Sequence, residues 1–305
     1  MSHIPVLLSE TIRILAPRDG ARVLDCTFGG GGHAVAILEA ADCRVLGCDR
    51  DPDAILRARE VKATYNDRFD FRQLKFSDLY EALESHPKFD GVLFDFGISS
   101  FQVDNASRGF SFSREGPLDM RMSASGLSAY DVVNSFSEND IARIIHMYGD
   151  EPYRRSGKIA MKIVRTRELD LIRTTTELRE IVKSALGFEV IHKRYSNVDV
   201  ATKTFQAIRI FVNDELREID CALSQLPKIL NNKARVATIS FHSLEDRIVK
   251  NWAKLSNDGF VSITKPAIRT TKEEILSNPR SRSAILRGFE YNCNWGDVDN
   301  GDFTR

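Results

Sequence analysis

The stretch Val23-Leu24-Asp25-Cys26-Thr27-Phe28-Gly29-Gly30-Gly31-Gly32-His33, with Val45-Leu46-Gly47-Cys48-Asp49-Arg50-Asp51 after it, decides the reading of the fold. Its first part reads as a short buried strand, a glycine turn and a helix over 34–41. Its second part is another apolar strand that ends in a carboxylate. Strand, glycine turn, helix, strand and acid make the front half of an α/β nucleotide-cofactor fold. Glycine lets the backbone turn sharply and approach a ligand closely. Asp49 stands where an acid accepts hydrogen bonds from ribose hydroxyls.

Gly29, Gly31 and Ala34 also satisfy a G-x-G-x-x-A pattern, so a dinucleotide competes as the ligand. Two details favour S-adenosylmethionine. Asp25 immediately precedes the turn, where a carboxylate repels a pyrophosphate but helps hold the methionine ammonium, directly or through water. The loop over 27–33 is also longer and looser than a pyrophosphate cradle needs. The plain alternative is a merely flexible turn. The flanking apolar strands and the spacing to Asp49 weigh against that.

At 305 residues, 42% hydrophobic and 28% charged, the chain has the make-up of an ordinary soluble protein with one large domain or two smaller ones. It has no apolar run of about 18 residues, so no membrane span or membrane partner is expected. Its N-terminus lacks a basic region followed by an apolar one, and a cytoplasmic protein without a signal peptide is expected. Cysteines 26, 43, 48, 221 and 293 form no C-x-x-C pair, which argues for reduced thiols and against a zinc site. The formal net charge is zero, yet 143–209 holds 14 Lys/Arg against 8 Asp/Glu, and 265–287 holds 6 against 2. Two basic patches on a neutral chain suit a structured polyanion better than bulk DNA, although solvated helix faces explain any single residue equally well.

After a short amphipathic helix following Pro5, the chain continues with a helix opened by Asp51 and Pro52 and a third strand over 69–74. The loop 76–79 lies at the C-terminal end of that strand, where ligands collect in an open parallel sheet. Phe76 there faces an adenine or is ordinary core. Val92-Leu93-Phe94 is a fourth strand ended by Asp95 on the ligand side, with Gly97, Ser99 and Ser100 following. An acid with small polar groups at this place suits methylation of an exocyclic amine, and a turn cap is the plainer alternative. The segment 102–122 shows neither helical nor strand period and reads as a long functional loop. Its Arg108, Arg114 and Arg121 offer phosphate contacts, unless Asp119 takes an arginine as partner. Phe101, Phe110 and Phe112 offer stacking faces or core.

From 127 to 226 the pattern is helical, with Ser137 and Asp140 at capping-box spacing and a basic helix over 152–167. Strands then return over 234–240, 260–264 and 283–289. His242 lies at the ligand edge, as a base or as a structural residue. Arg280 and Arg282 sit in a basic loop. The expected organisation is a discontinuous sheet domain, 1–106 with 203–290, an inserted helical substrate-recognition domain, 107–202, and a frayed tail, 291–305.

Taken together, TFGGGGH at 27–33, CDRD at 48–51, FDFGISS at 94–100, SRGFSFSREGPLDMRM at 107–122, TKTFQAIRIFVNDEL at 202–216, ISFHSLEDRIVK at 239–250 and NPRSRSAILR at 278–287 resemble the ribosomal RNA small subunit methyltransferase H family. The resemblance runs from about His3 to Arg287. It implies a class I, Rossmann-like S-adenosylmethionine-dependent methyltransferase sheet with an inserted helical domain. It also implies methylation of N4 of a cytidine, conventionally position 1402, in the decoding region of 16S rRNA in the 30S subunit. The family's cofactor site falls on Gly31, Gly32, His33, Asp49, Phe76, Asp95 and Gln102. Cys26, Gly30 and Phe101 depart from the family's usual residues without removing a polar contact.

Asp95, Ser99 and Ser100 are the catalytic candidates, Arg108, Arg114, Arg121, Arg280 and Arg282 the RNA-binding ones, and no metal is expected. A homodimer stays open. A nicotinamide oxidoreductase leaves the motifs over 94–122 unexplained. A non-catalytic RNA-binding assembly factor has no need of an intact Asp25, Asp49 and Asp95. A DNA amine methyltransferase lacks its Asp-Pro-Pro-Tyr-type motif where Asp95-Phe96-Gly97-Ile98 stands.

Overall fold

The computed structural model describes residues 4–187, 199–255 and 259–293. It divides the chain into two units, 1–97 with 216–305, and 98–215. The expected boundaries of the inserted segment were 107 and 202.

The first unit is built on β1 (Arg22–Asp25), β2 (Arg44–Asp49), β3 (Phe69–Gln73), β4 (Phe89–Asp95), β5 (Leu230–Ser240), β6 (Phe260–Ser262), β7 (Ile268–Arg269) and β8 (Ile285–Tyr291). The sheet order is β3-β2-β1-β4-β5-β8-β6, with β7 beside β8. Strands β1 to β5 are parallel, and β8 runs antiparallel to β5, β6 and β7. The chain winds outward from β1 to β3 and restarts at β4 on the other side of β1. That reversal makes a Rossmann-like switch point, where ligands bind at the carboxyl ends of the strands.

Successive strand residues feed opposite faces. Val23, Val45, Leu93 and Ala237 join one core with Ile14, Ile37 and Leu38. Leu24, Leu46, Val92 and Val236 join the other with Leu223 and Leu226. Burial on both faces is why these strands read as continuous apolar runs instead of alternating ones.

Three details differ from expectation. β5 begins at Leu230, four residues early, and its register with β4 shifts between Phe89 and Gly91. β7 has two residues, too few for any sequence period. Tyr291, assigned to the tail, closes β8 and is buried against Phe260. Residues 294–305 lie outside the described residues. No described helix is long and apolar enough to cross a membrane.

The second unit packs helices Ala129–Ser135, Glu138–Gly149, Tyr153–Arg167, Thr175–Leu186 and Thr202–Asn213 around Val132, Ile141, Ile145, Ile159, Ile163, Val182 and Ile208. Thr202–Asn213 belongs here because Phe205, Ala207 and Ile208 are part of that core. Full capping boxes open three helices, at Ser128/Asp131, at Thr174/Glu177 and at Ser99/Gln102. The box expected at Ser137 is only half made. Its hydroxyl accepts the Asp140 backbone N–H, while the Asp140 carboxylate accepts that hydroxyl at 2.7 Å instead of reaching back to a backbone N–H.

The segment 102–122, expected to be irregular throughout, starts inside a short helix, Ser100–Asp104. Beyond a 3-10 turn at Ala106–Arg108, the rest is irregular but firmly held. Leu118, Met120 and Met122 are buried. The Asn213 side chain donates to Met120 O at 2.7 Å and accepts from Met122 N at 2.8 Å. Gly116 and Thr175 exchange two further hydrogen bonds. This explains why the motifs at 107–122 and 202–216 occur together: one supplies the loop, the other the amide that pins it.

Candidate active site

Strands β1, β2 and β4 each end in an aspartate, and the sheet brings Asp25, Asp49 and Asp95 to its ligand edge. The loop after β1 is stitched to its neighbours. Cys26 N donates to Leu93 O and Phe28 N to Cys48 O. Thr27 joins two of the acids: its N–H donates to Asp25 Oδ1 at 3.1 Å, and its hydroxyl accepts from Asp95 N at 2.7 Å.

Asp25 is fully buried, and its Oδ2 has no hydrogen-bond partner among the described residues. Burial pushes its carboxyl up to about 7, opposed by the Thr27 N–H and reinforced by the charge on Asp49. Asp49 accepts from Gly29 N at 2.8 Å and from Asp51 N at 2.9 Å. Burial still raises it to about 6. Each carboxylate oxygen has two lone-pair sites, so capacity remains for ribose hydroxyls. Asp95 has a side chain 24% exposed, but its Oδ1 is buried without a partner among the described residues. Burial, then the charges on Asp25 and Glu245, hold its carboxyl well above the usual carboxylate range.

His33 opens helix Gly32–Ala40 and is buried. Its Nε2–H donates to Val6 O at 3.1 Å, which leaves Nδ1 turned to Asp95 Oδ2 at 3.8 Å. The glycines of the turn are fixed by packing. A Cβ on Gly31, at φ +79°, would lie 2.7 Å from the Phe28 ring, and one on Gly32 would lie 2.4 Å from Pro5. Arg57 donates to Gly29 O at 2.7 Å and holds the turn from its other side. Phe76 is half-buried, edge-on to Phe94 and Phe96.

This edge is therefore rich in acceptors, with buried carboxylate oxygens at Asp25 and Asp95 that find no donor among the described residues. Such an acceptor set fits a ligand carrying an ammonium and a sulfonium, and it disfavours a pyrophosphate.

The MraW methylase family model matches residues 1–292. The chain belongs to the MraW methylase family. Two relatives, each a "Ribosomal RNA small subunit methyltransferase H", come from Rickettsia felis, 46% identical over 94% of this chain and 97% of its own, and Rickettsia bellii, 48% identical over 91% and 87%. Among solved structures, an rRNA methylase from Streptococcus thermophilus matches with a TM-score of 0.46 and 8% identity, over 95% of this chain and 99% of that one.

In this methylase the other candidate residues fall as follows. Ser99, Ser100 and Gln102 lie in the second unit. The Ser99 hydroxyl accepts from Gln102 N at 3.3 Å, and Gln102 Oε1 accepts from Ser99 N at 2.9 Å. Arg121 is engaged by Asp119 through a bidentate pair, closest at 2.6 Å, and Arg108 donates to Arg121 O and Met122 O. Both brace the loop. Arg114 is exposed on the same loop. Arg280 and Arg282 are exposed in the 3-10 segment Pro279–Ser283 of the first unit. Phe110 is buried and Phe112 packs on Phe205, which leaves Phe101 as the exposed ring of the three.

Glu245 escaped the sequence reading. It is fully buried, accepts from Phe241 N and His242 N, and bears on the acidity of Asp95. His242 Nδ1 in turn accepts from Glu245 N at 3.3 Å. The pair is a capping box with histidine in place of serine, at the start of helix Ser243–Leu255. The acid three residues after His242 is the signal that could have shown it, and it gives His242 a structural role.

Proposed function

We propose that this methylase transfers the methyl group of S-adenosylmethionine to N4 of a cytidine, position 1402 by convention, in the decoding region of 16S rRNA. The small ribosomal subunit in the cytoplasm is the site of action. The buried acceptors on Asp25 and Asp95 that lack partners among the described residues support the cofactor reading, the relatives' names support a small-subunit rRNA substrate, and the cytidine N4 target follows from the family resemblance. S-adenosylmethionine, when bound, supplies an electrophilic methyl on a positively charged sulfur.

The chain's own residues do the rest. Asp25 neutralises the ammonium, Asp49 takes the ribose, and Gly31, Gly32, His33, Phe76 and Gln102 complete the cofactor contacts. Cytosine N4 is a weak nucleophile because its lone pair is delocalised into the ring. Asp95 accepts a hydrogen bond from the amine, frees the lone pair and takes the proton that N4 releases as the N–C bond forms. Burial and the neighbouring acids raise its proton affinity, which favours taking up that proton. Ser99 and Ser100, which follow in sequence, orient the amine. Arg108, Arg114, Arg121, Arg280 and Arg282 are the RNA-binding candidates. The braced Arg108 and Arg121 act by shaping the loop.

The deciding assay supplies labelled S-adenosylmethionine with 30S subunits that lack the modification, followed by nucleoside analysis. Label in N4-methylcytidine is expected, with far weaker transfer to naked 16S RNA. Label in a different nucleoside overturns the target atom. A homodimer would leave the assignment unchanged, and sedimentation measures it.

The raised carboxyls set a pH dependence. Folded-state values of about 7 and 6 lie above those of unfolded aspartates, near 3.9. The resulting stability is present below pH ~4 and is lost as pH rises through about 6 to 7. The ligand-free chain should therefore melt lower at pH 8 than at pH 5. The cationic cofactor needs the ionised forms, so its affinity should rise roughly tenfold from pH 6 to 8. Calorimetric titration across that range checks this, and a flat profile would remove Asp25 from the cofactor site.

A further inference from the structure

Helix Tyr153–Arg167 carries six Lys/Arg and no Asp/Glu. Helices Ala54–Tyr65, Glu138–Gly149, Thr175–Leu186, Glu215–Ile229 and Ser243–Leu255 all mix both signs. Arg155 pairs with Glu151 at 3.1 Å, and Arg167 donates to Val133 O and Phe136 O. Arg154, Lys158, Lys162 and Arg165 stand at i, i+4, i+8 and i+11. At 100° per residue they fall within roughly 80° of arc, on one stripe about 16 Å long. Arg154 and Arg165 are exposed, and Lys158 and Lys162 are half-exposed. Ile159, Ala160 and Ile163 occupy the buried side.

The helix dipole favours Arg165, in the last turn, but not the head of this stripe. The first turn has no acid but holds Arg154 and Arg155, against the positive end of the helix dipole. No side-chain cap offsets them.

We propose that Arg154, Lys158, Lys162 and Arg165 form a rail for the phosphate backbone of the RNA substrate. The inference rests on the ribosomal RNA substrate argued above. Cations repeating every ~6 Å along the axis, a spacing close to that of successive backbone phosphates, complement one RNA strand in both charge and period. Tyr153, 59% exposed at the head of the rail, offers a face for an unpaired base.

The test measures binding of a labelled decoding-region RNA fragment across a salt titration. The variant R154Q/K158Q/K162Q/R165Q should flatten the plot of log K against log salt by about 3 and bind roughly 10²-fold more weakly at physiological salt. The charge-conserving R154K/R165K variant should keep the slope, and Y153A should lower affinity without changing it. Cofactor affinity and melting temperature of the quadruple variant should match the wild type. An unchanged slope in the quadruple variant, or no RNA binding by the wild type, overturns the rail. Wild-type RNA binding of the expected slope with no methyl transfer to 30S subunits overturns the function and leaves the rail standing.

Discussion

The Asp95→Asn variant is expected to lose roughly 10²-fold or more in kcat for methyl transfer while folding at least as well as the wild type. The carboxamide keeps an acceptor oxygen but cannot take the proton leaving N4, and proton acceptors of this kind contribute 10²–10⁴-fold. Burial and the neighbouring charges of Asp25 and Glu245 disfavour the ionised form. A neutral isostere relieves that cost, so the melting temperature at pH 8 should hold or rise. Loss of activity with gain of stability is what a functional carboxylate gives, whereas a turn cap would lose stability on substitution. Single-turnover kinetics at saturating cofactor separate kcat from cofactor affinity. Full turnover in the variant would remove Asp95 from catalysis.

Gly109→Ala is expected to destabilise the second unit by about 3 kcal/mol or more. Gly109 has φ +70°, and its Cβ would lie 2.2 Å from Pro117 O and 2.8 Å from Asp119 N. The obstacle is backbone of the same braced loop, so no side chain can swing away. Gly126→Ala is the control. It has φ +84° with nothing within 4 Å of the added Cβ, so it bears only the left-handed backbone penalty, about 1–2 kcal/mol. Thermal melts of the two variants isolate the steric part. Equal destabilisation would show that the loop yields easily and that its packing matters little.

The sheet was legible because its physics is local. Short apolar runs ending in aspartate mark strands buried on both faces with their ends at a ligand, and Asp25, Asp49 and Asp95 followed from that. The Ser99–Gln102 capping box was equally local, as S-x-x-Q, yet both residues were first weighed only for chemistry. What stayed hidden depends on distant partners. Arg108 and Arg121 look alike in the sequence as phosphate ligands, and only the fold shows that one braces carbonyls and the other closes on Asp119. The extent of the helical unit was also illegible, because membership of Thr202–Asn213 is decided by which core Phe205 and Ile208 enter. The rail was half visible. The charge of its helix could be counted, but which cations share one accessible stripe could not.

The Asn213 amide has a consequence for how the chain assembles. β4 and β5 are neighbours in the sheet, yet the whole second unit lies between them in sequence. Bringing two such strands together requires closing a very long loop, at an entropic cost that grows with the logarithm of its length. Asn213, near the far end of the excursion, clasps Met120 and Met122 across more than ninety residues. Once that clasp is made, the chain left to close between the strands is the stretch from Asp95 to Met120 and the stretch from Asn213 to Leu230, which includes helix Glu215–Ile229. The excursion then behaves as a closed cassette, which lengthens or diversifies internally with little effect on the pairing of the strands that carry it.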